Sequence, residues 1–502
     1  MDPFTAALIL ATATLLIYLY LWKPMKYLEQ MGIPHEPWFP ILGNMGPIMF
    51  RRVHFAEHFQ TMYNRFPDAK YFGVYSFIKP TIVLRDPDLI ASITIKNFDN
   101  FTDHDSFTDE KVEPLLGRNL VALKGDRWRE MRKVLRPAFT SSKMKIMFNL
   151  IVDCADNFTK HIAKQSKQGK VFDLKDSFGR YTNDVIATTS FGITVDSMEN
   201  PENEFFMFAK QIVQAFSTQM LKVMVIRNFS RLARFLGLKL FSDETRRYFT
   251  NVVAETIKTR KEKGIYRPDM IQLMIESRHA DGQELNIDKI TSQAFFFFLA
   301  GYEASSTLLS FAAHEIAVNP DVQARLRAEI EDVMKATNGK PTYDAVNNMK
   351  YMSAVINEAG RLYPAAVALD RLCVKEFVLP PATENSKPVT MKPGDVVWII
   401  PFTLHRDQKY FPEPKRFDPD RFLAKEIPQN VFVPFGIGPR ICIANRFALM
   451  EAKIALIYLL LRCDIEPCAQ TTIRMKFSTK TFSMVPENGF WLRYKTRENG
   501  NA

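Results

Sequence analysis

Hydrophobic and polar positions along the chain first separate one apolar block from a body of mixed periodicity. Residues 4–22 carry no charge, and as an α-helix they rise roughly 29 Å, the thickness of a hydrocarbon core. Asp2 precedes the block and Lys23-Pro24 follows it, without the basic start and small-residue cleavage site of a secretory leader. The pattern predicts an uncleaved membrane anchor, and Lys23 and Lys26 at its C-terminal end predict that the rest of the chain stays on the cytosolic side. Residues 32–40 are stiffened by prolines and read as a hinge. Strand-like pieces cover 70–75 and 81–84, and helical periodicity then dominates from Pro87 to Leu362. Between Ala365 and Phe402 the pattern turns β-rich, with turns at Pro380-Pro381 and at Pro393-Gly394. A proline-studded stretch runs to Pro428, helix resumes over about 443–461, and hairpin-like strands are expected around Phe477 to Tyr494. The predicted fold class is mainly α with small β-sheets (α+β), with an anchor and linker over 1–28 and one large domain over 29–502.

The helix predicted over 287–318 contains Phe295 to Phe298 and invites reading as a second span. Its charge-free part, Ile290 to Tyr302, is 13 residues long, below the roughly 18 that a span needs, so a helix through the protein core is expected. Glu303 in that apolar helix is costly to bury, and must either pair structurally or serve chemistry beside a cavity.

Composition narrows the classes. At 502 residues, 47% hydrophobic and 24% charged, the chain buries a large core and is neither disordered nor collagenous. The net charge of +11 points to acidic protein partners or an anionic membrane, and nucleic acid is not expected. Five cysteines, Cys154, Cys373, Cys442, Cys463 and Cys468, are too few and too unevenly spaced for a disulfide scaffold or a zinc site.

One of them sits in a distinctive loop. Pro434-Phe435-Gly436-Ile437-Gly438-Pro439-Arg440-Ile441-Cys442-Ile443-Ala444 combines two glycines, a cation and a cysteine just before a helix. A cysteine so placed is expected to have a lowered pKa and to ligate a metal as thiolate. The loop resembles the haem-ligand signature of the cytochrome P-450 haem-thiolate monooxygenases. Glu358-Ala359-Gly360-Arg361 resembles that family's Glu-x-x-Arg helix, Pro414-Lys415-Arg416-Phe417 its Pro-x-Arg-Phe segment, and Trp128 to Arg132 its Trp-x-x-x-Arg helix. The text around Arg136 to Met144 and Asn445 to Met450 looks closest to the insect microsomal detoxifying branch, with the vertebrate drug-metabolising branch next.

The resemblance implies a haem cofactor with Cys442 as the iron ligand. It also implies Trp128, Arg132, Arg371 and Arg440 as partners of the haem carboxylates, Phe435 as a shield for the sulfur, and a buried triad of Glu358, Arg361 and Arg416. His405 is expected to be structural. On the opposite side of the haem, Ala300-Gly301-Tyr302-Glu303 resembles the oxygen-binding groove: Gly301 would leave space for dioxygen and Glu303 would relay protons. Ala304 departs from the family, which usually has a threonine there, and Ser305 lies about 100° further round the helix, so it does not reach the same spot unless the helix is irregular. Ala444 also departs, where glycine is commoner, at little cost for a helix start.

No dinucleotide fingerprint or flavin extension is present, so the resemblance implies electrons from NADPH through a separate reductase, with cytochrome b5 as a further donor. Lys124 to Arg136 holds six cations and two acids and is the expected docking face. The implied substrates are lipophilic small molecules, xenobiotics or endogenous lipids. Phe101 to Phe107, Phe205 to Phe216, Phe295 to Phe298, the segment after Pro364 and Phe482 to Val485 are candidates to line the pocket, and residues 211–240 to dip into an endoplasmic reticulum bilayer. Two rivals stay open: a haem-thiolate isomerase or dehydratase acting on peroxides without a reductase, which the missing threonine favours, and a non-catalytic haem or lipid carrier.

Overall fold

A computed structural model describes residues 2–105, 108, 110–267, 269–276, 285–424 and 426–497. In chain order, the elements that position the site begin with helix α1 (Pro3–Ile17) and the strands β1 (Tyr71–Ser76) and β2 (Lys79–Leu84). Helices α2 (Gly125–Leu135) and α3 (Ser141–Ser166), strand β3 (Val171–Asp173) and helix α4 (Leu174–Ile186) follow. The long helix α5 (Ile287–Val318) and helix α6 (Lys350–Leu362) lead to strands β4 (Leu369–Leu372), β5 (Phe377–Leu379), β6 (Val389–Met391) and β7 (Val396–Ile399). Helix α7 (Asn445–Arg462) runs straight into β8 (Cys463–Pro467), and β9 (Trp491–Thr496) comes last. The architecture is the α+β class expected, dominated by helix.

The chain divides into two compact units. The first takes residues 1–105, 367–410 and 428–441. Asp2 caps α1, accepting from the Thr5 N–H at 2.7 Å, and the helix leaves Phe4, Leu8, Ile9 and Leu10 exposed. A π-helical turn continues it over Tyr18–Trp22. Strands β1 and β2 pair antiparallel, β2 pairs parallel with β7, and β7 antiparallel with β4. Under this sheet Tyr71, Tyr75, Ile82, Leu84, Val397 and Ile399 belong to one apolar core.

The second unit takes residues 106–366, 411–427 and 442–502. Helix α5 matches its predicted bounds. The Asn286 side chain caps its start, accepting from the Lys289 N–H at 2.9 Å, and Asn319-Pro320 ends it. It is long and apolar enough to cross a membrane, but 67% of its most apolar stretch is buried inside the protein, as the short charge-free run indicates. Helix α7 packs on α3 and α4 packs on α5.

The expected terminal hairpin is found in short form: Phe477 bridges Pro486 antiparallel, the Ser478 N–H donates to the Val485 carbonyl and the Glu487 N–H to the Lys476 carbonyl, both at 2.8 Å. The last strand does not belong to it, since β9 pairs with β8 on one side and β3 on the other. Strand β8 is concealed in the sequence because it begins one residue after an apolar helix, and β3 is only three residues long.

Candidate functional site

The cysteine loop turns on its glycines. Gly436 and Gly438 have φ of +78° and +75°, in the region that favours glycine. At Gly438 a Cβ would stand 2.1 Å from the Thr94 carbonyl oxygen, so the backbone approach itself excludes a side chain. Cys442 follows, three residues before α7, and is solvent-exposed although protein atoms crowd its thiol enough to desolvate it. Burial raises its thiol pKa; the Ala444 N–H and the Arg132 guanidinium oppose the rise without cancelling it. The lowered pKa expected from the sequence is therefore not found in the chain alone, because desolvation of a thiolate outweighs one N–H and one cation. A bound metal cation deprotonates a coordinating thiol outright.

Helix α2 supplies that cation. Its i, i+4 spacing sets Trp128 and Arg132 on one face, Trp128 buried and Arg132 half-buried. Burial lowers the Arg132 pKa, Cys442 opposes the change, and Arg136 adds to it. Trp128, Arg129, Arg132, Lys133, Arg136 and Pro137 line a cavity of about 450 Å³. Lys124, Arg127, Arg129, Lys133 and Arg136 are exposed.

On α5, neighbouring residues point in different directions. Ala304 is exposed, and Phe296, Leu299 and Ala300 on the same face are half-exposed. A Cβ at Gly301 would lie 2.5 Å from Ile186 Cδ1, so this glycine packs closely on α4. Glu303 Oε2 lies 3.1 Å from Lys175 Nζ. Burial lowers the Lys175 pKa against the opposing pull of Glu303, and the ammonium also donates to Ser306 Oγ at 2.8 Å and Thr307 Oγ1 at 2.7 Å. Ser305 is buried on an uninterrupted α-helix and turns to Glu451, so it does not replace the hydroxyl missing at Ala304. Glu451, on α7, escaped sequence reasoning. It is fully buried, lies against Ser305 without a well-formed hydrogen bond to either carboxyl oxygen among the described residues, and burial raises its pKa to about 8 despite the serine. An acidic residue in an apolar helix was the available signal.

The aromatic candidates divide. Phe295, Phe297 and Phe298 pack on Phe241, Phe139 and Phe205 as core, and only Phe296 of that run is half-exposed. Phe101 is buried against Phe377, and Phe482 is exposed. Ser106 and Phe107 lie outside the described residues.

In the first unit, Arg371 is buried, donates to the Asp370 carbonyl at 2.6 Å and the Ile437 carbonyl at 3.2 Å, and leaves its Nε without a partner among the described residues. Burial lowers its pKa to about 10, against Asp370. Arg440 donates through Nε to the Thr102 carbonyl at 2.8 Å. Phe435 is half-buried. His405 accepts from the Val433 N–H at 2.9 Å, a structural tie.

The buried triad needs one correction. Glu358 and Arg361 form the expected pair at 2.7 and 2.8 Å, both fully buried. The third partner is Arg421, whose Nε lies 3.1 Å from Glu358 Oε1, while the Arg416 side chain is 65% exposed beside Glu413 and contributes only its carbonyl to Arg361. Two Pro-x-Arg-Phe segments stand five residues apart, at 414–417 and 419–422. The second delivers the side chain because the N–H of Asp418 already docks on Glu358 at 2.8 Å.

The family model described as Cytochrome P450 matches residues 33–493. Cytochrome P450 9e2 of Blattella germanica is 42% identical, with 94% of each chain covered. Cytochrome P450 9b2 of Drosophila melanogaster is 36% identical, covering 96% of this chain and 97% of its own. Cytochrome P450 6j1 of Blattella germanica is 32% identical over 97% of each.

Proposed function

Since the chain belongs to the cytochrome P450 family and is a haem-thiolate monooxygenase, we propose that it is a membrane-anchored microsomal enzyme that inserts one atom of dioxygen into lipophilic small molecules. Electrons come from NADPH through a separate reductase, with cytochrome b5 as a second donor. Residues 29–502 act as one catalytic domain at the cytosolic face of the endoplasmic reticulum, and residues 1–28 anchor it. The exposed apolar residues of α1 support the anchor, and exposed Leu232, Phe235 and Leu236 support a second contact with the bilayer.

The observation that carries this reading is Cys442: a thiol on an open surface, at the start of a helix, facing the Arg132 guanidinium. The residues fit a haem. Arg371 offers a buried Nε with no partner among the described residues, the chemistry that a propionate satisfies; the family resemblance adds Arg440, Arg132 and Trp128 as further candidates. Haem bound through the Cys442 thiolate supplies the activation of dioxygen. Phe435 excludes water from the sulfur. Glu303 holds and passes protons toward the Ala304 face, drawing on its ion pair with Lys175. Phe296, Leu299 and Ala300 give that face an apolar character suited to lipophilic substrates, and the exposed cations of α2 steer an acidic reductase. The isomerase and carrier readings are not favoured by the cytochrome P450 relatives.

The test is the difference spectrum of the reduced protein with carbon monoxide. A strongly red-shifted Soret band is expected, and Cys442→Ala is expected to abolish it while substitution of Cys154 or Cys468 leaves it intact. A histidine-like band in the wild type overturns the assignment.

A further inference from the structure

The two first-unit arginines proposed as haem carboxylate partners each stand beside an acid of the protein itself. Arg440 Nη2 lies 3.6 Å from Asp103 Oδ1, with side chains 2% and 10% exposed. This carboxylate and the backbone beside it are held by three hydrogen bonds. The Thr102 hydroxyl donates to it at 3.0 Å, Arg440 Nε takes the neighbouring Thr102 carbonyl at 2.8 Å, and the Asp103 carbonyl accepts from the Leu372 N–H of β4 at 2.7 Å. Nearby, the Asp370 carboxylate collects His104 Nδ1 at 2.9 Å and the Asp105 N–H at 2.6 Å, while Lys79 neutralises Asp105 at 2.6 Å.

We propose that Asp103 is a positioning residue with a second consequence: it is a fixed internal anion that shares the Arg440 guanidinium with a haem carboxylate and sets the reduction potential of the iron. This rests on the haem-thiolate reading above. Arg440 stands two residues before Cys442 in the chain, and the resemblance assigns it to a haem carboxylate. With Asp103 already paired there, the guanidinium does not compensate a haem carboxylate in full. In a buried setting with little screening, the excess negative charge disfavours the extra electron of the ferrous state. The equilibrium concerned is one electron entering ferric iron to give ferrous iron, with electrons supplied by electrode mediators and no proton assigned.

Midpoint potentials of the substrate-free holoenzyme are read by spectroelectrochemistry for wild type, Asp103→Asn and Asp103→Glu. The amide keeps the shape and removes the charge; it is expected to shift the equilibrium at least about threefold toward ferrous, ~28 mV at 59 mV per decade. The glutamate variant is expected to stay close to wild type. No shift in the amide, or equal shifts in both variants, overturns the proposal. If Asp103→Asn does not retain haem, Thr102→Val decides: it strips a hydrogen bond from the carboxylate and keeps its charge, so the potential falls, and an unchanged or raised potential overturns the proposal. A wild type without the thiolate carbon monoxide band defeats the haem-thiolate reading instead, which separates the two failures.

Discussion

Fully buried and set against a serine hydroxyl, Glu451 titrates at about 8 where a free glutamate has 4.5. The folded chain therefore binds a proton that the unfolded chain has lost between those values. Stability from this group is fully present below about pH 4.5, is lost as pH rises toward 8, and levels off above. Glu451→Gln keeps the shape and removes the titration. Its melting temperature is expected to match wild type near pH 4.5 and exceed it near pH 8.5; parallel curves for the two proteins across this range would refute the buried neutral acid. The same interplay of burial and neighbours governs the other functional side chains. Cys442 was legible from its loop, yet its raised pKa was not, because desolvation depends on packing. Glu303 was legible as a charge needing a partner, whereas Lys175 stands 128 residues away in sequence, and nothing local points to it.

At the level of elements, periodicity and caps located the long segments well. Helix α5 keeps its predicted ends because an asparagine cap and an Asn-Pro stop fix them locally. Strands β3, β8 and β9 were harder, since their partners lie far apart in sequence and pairing is a tertiary choice. The duplicated Pro-x-Arg-Phe segment is the sharpest case: both copies satisfy the pattern, and only the docking of the Asp418 N–H on Glu358 selects the second. Arg421 hydrogen-bonds a buried carboxylate and the carbonyls of Pro412 and Glu413. Arg421→Ala is expected to lower unfolding free energy by about 2–3 kcal/mol, and Arg416→Ala by no more than about 0.5 kcal/mol, in denaturant titrations of the holoenzyme. A larger loss for Arg416 would return the third place of the triad to it.

For the whole molecule, part of the net charge of +11 is carried by exposed Lys124, Arg127, Arg129, Lys133 and Arg136 on and beside α2, of which Arg127 pairs with Glu110 and Arg129 with Asp126. The proposed attraction of an acidic reductase to this face would be screened by salt, since the Debye length falls from about 10 Å at 0.1 M to about 3 Å at 1 M. Raising ionic strength is expected to slow turnover driven by NADPH and reductase several-fold, and to slow peroxide-driven turnover much less; equal sensitivity would remove the docking role of α2. The interleaved faces of α5 have a practical consequence for redesign. Gly301 packs on Ile186, Glu303 pairs with Lys175 and Ser305 lies against Glu451, whereas Phe296, Leu299, Ala300 and Ala304 are partly open; libraries at these four positions are expected to change substrate preference with little change in melting temperature.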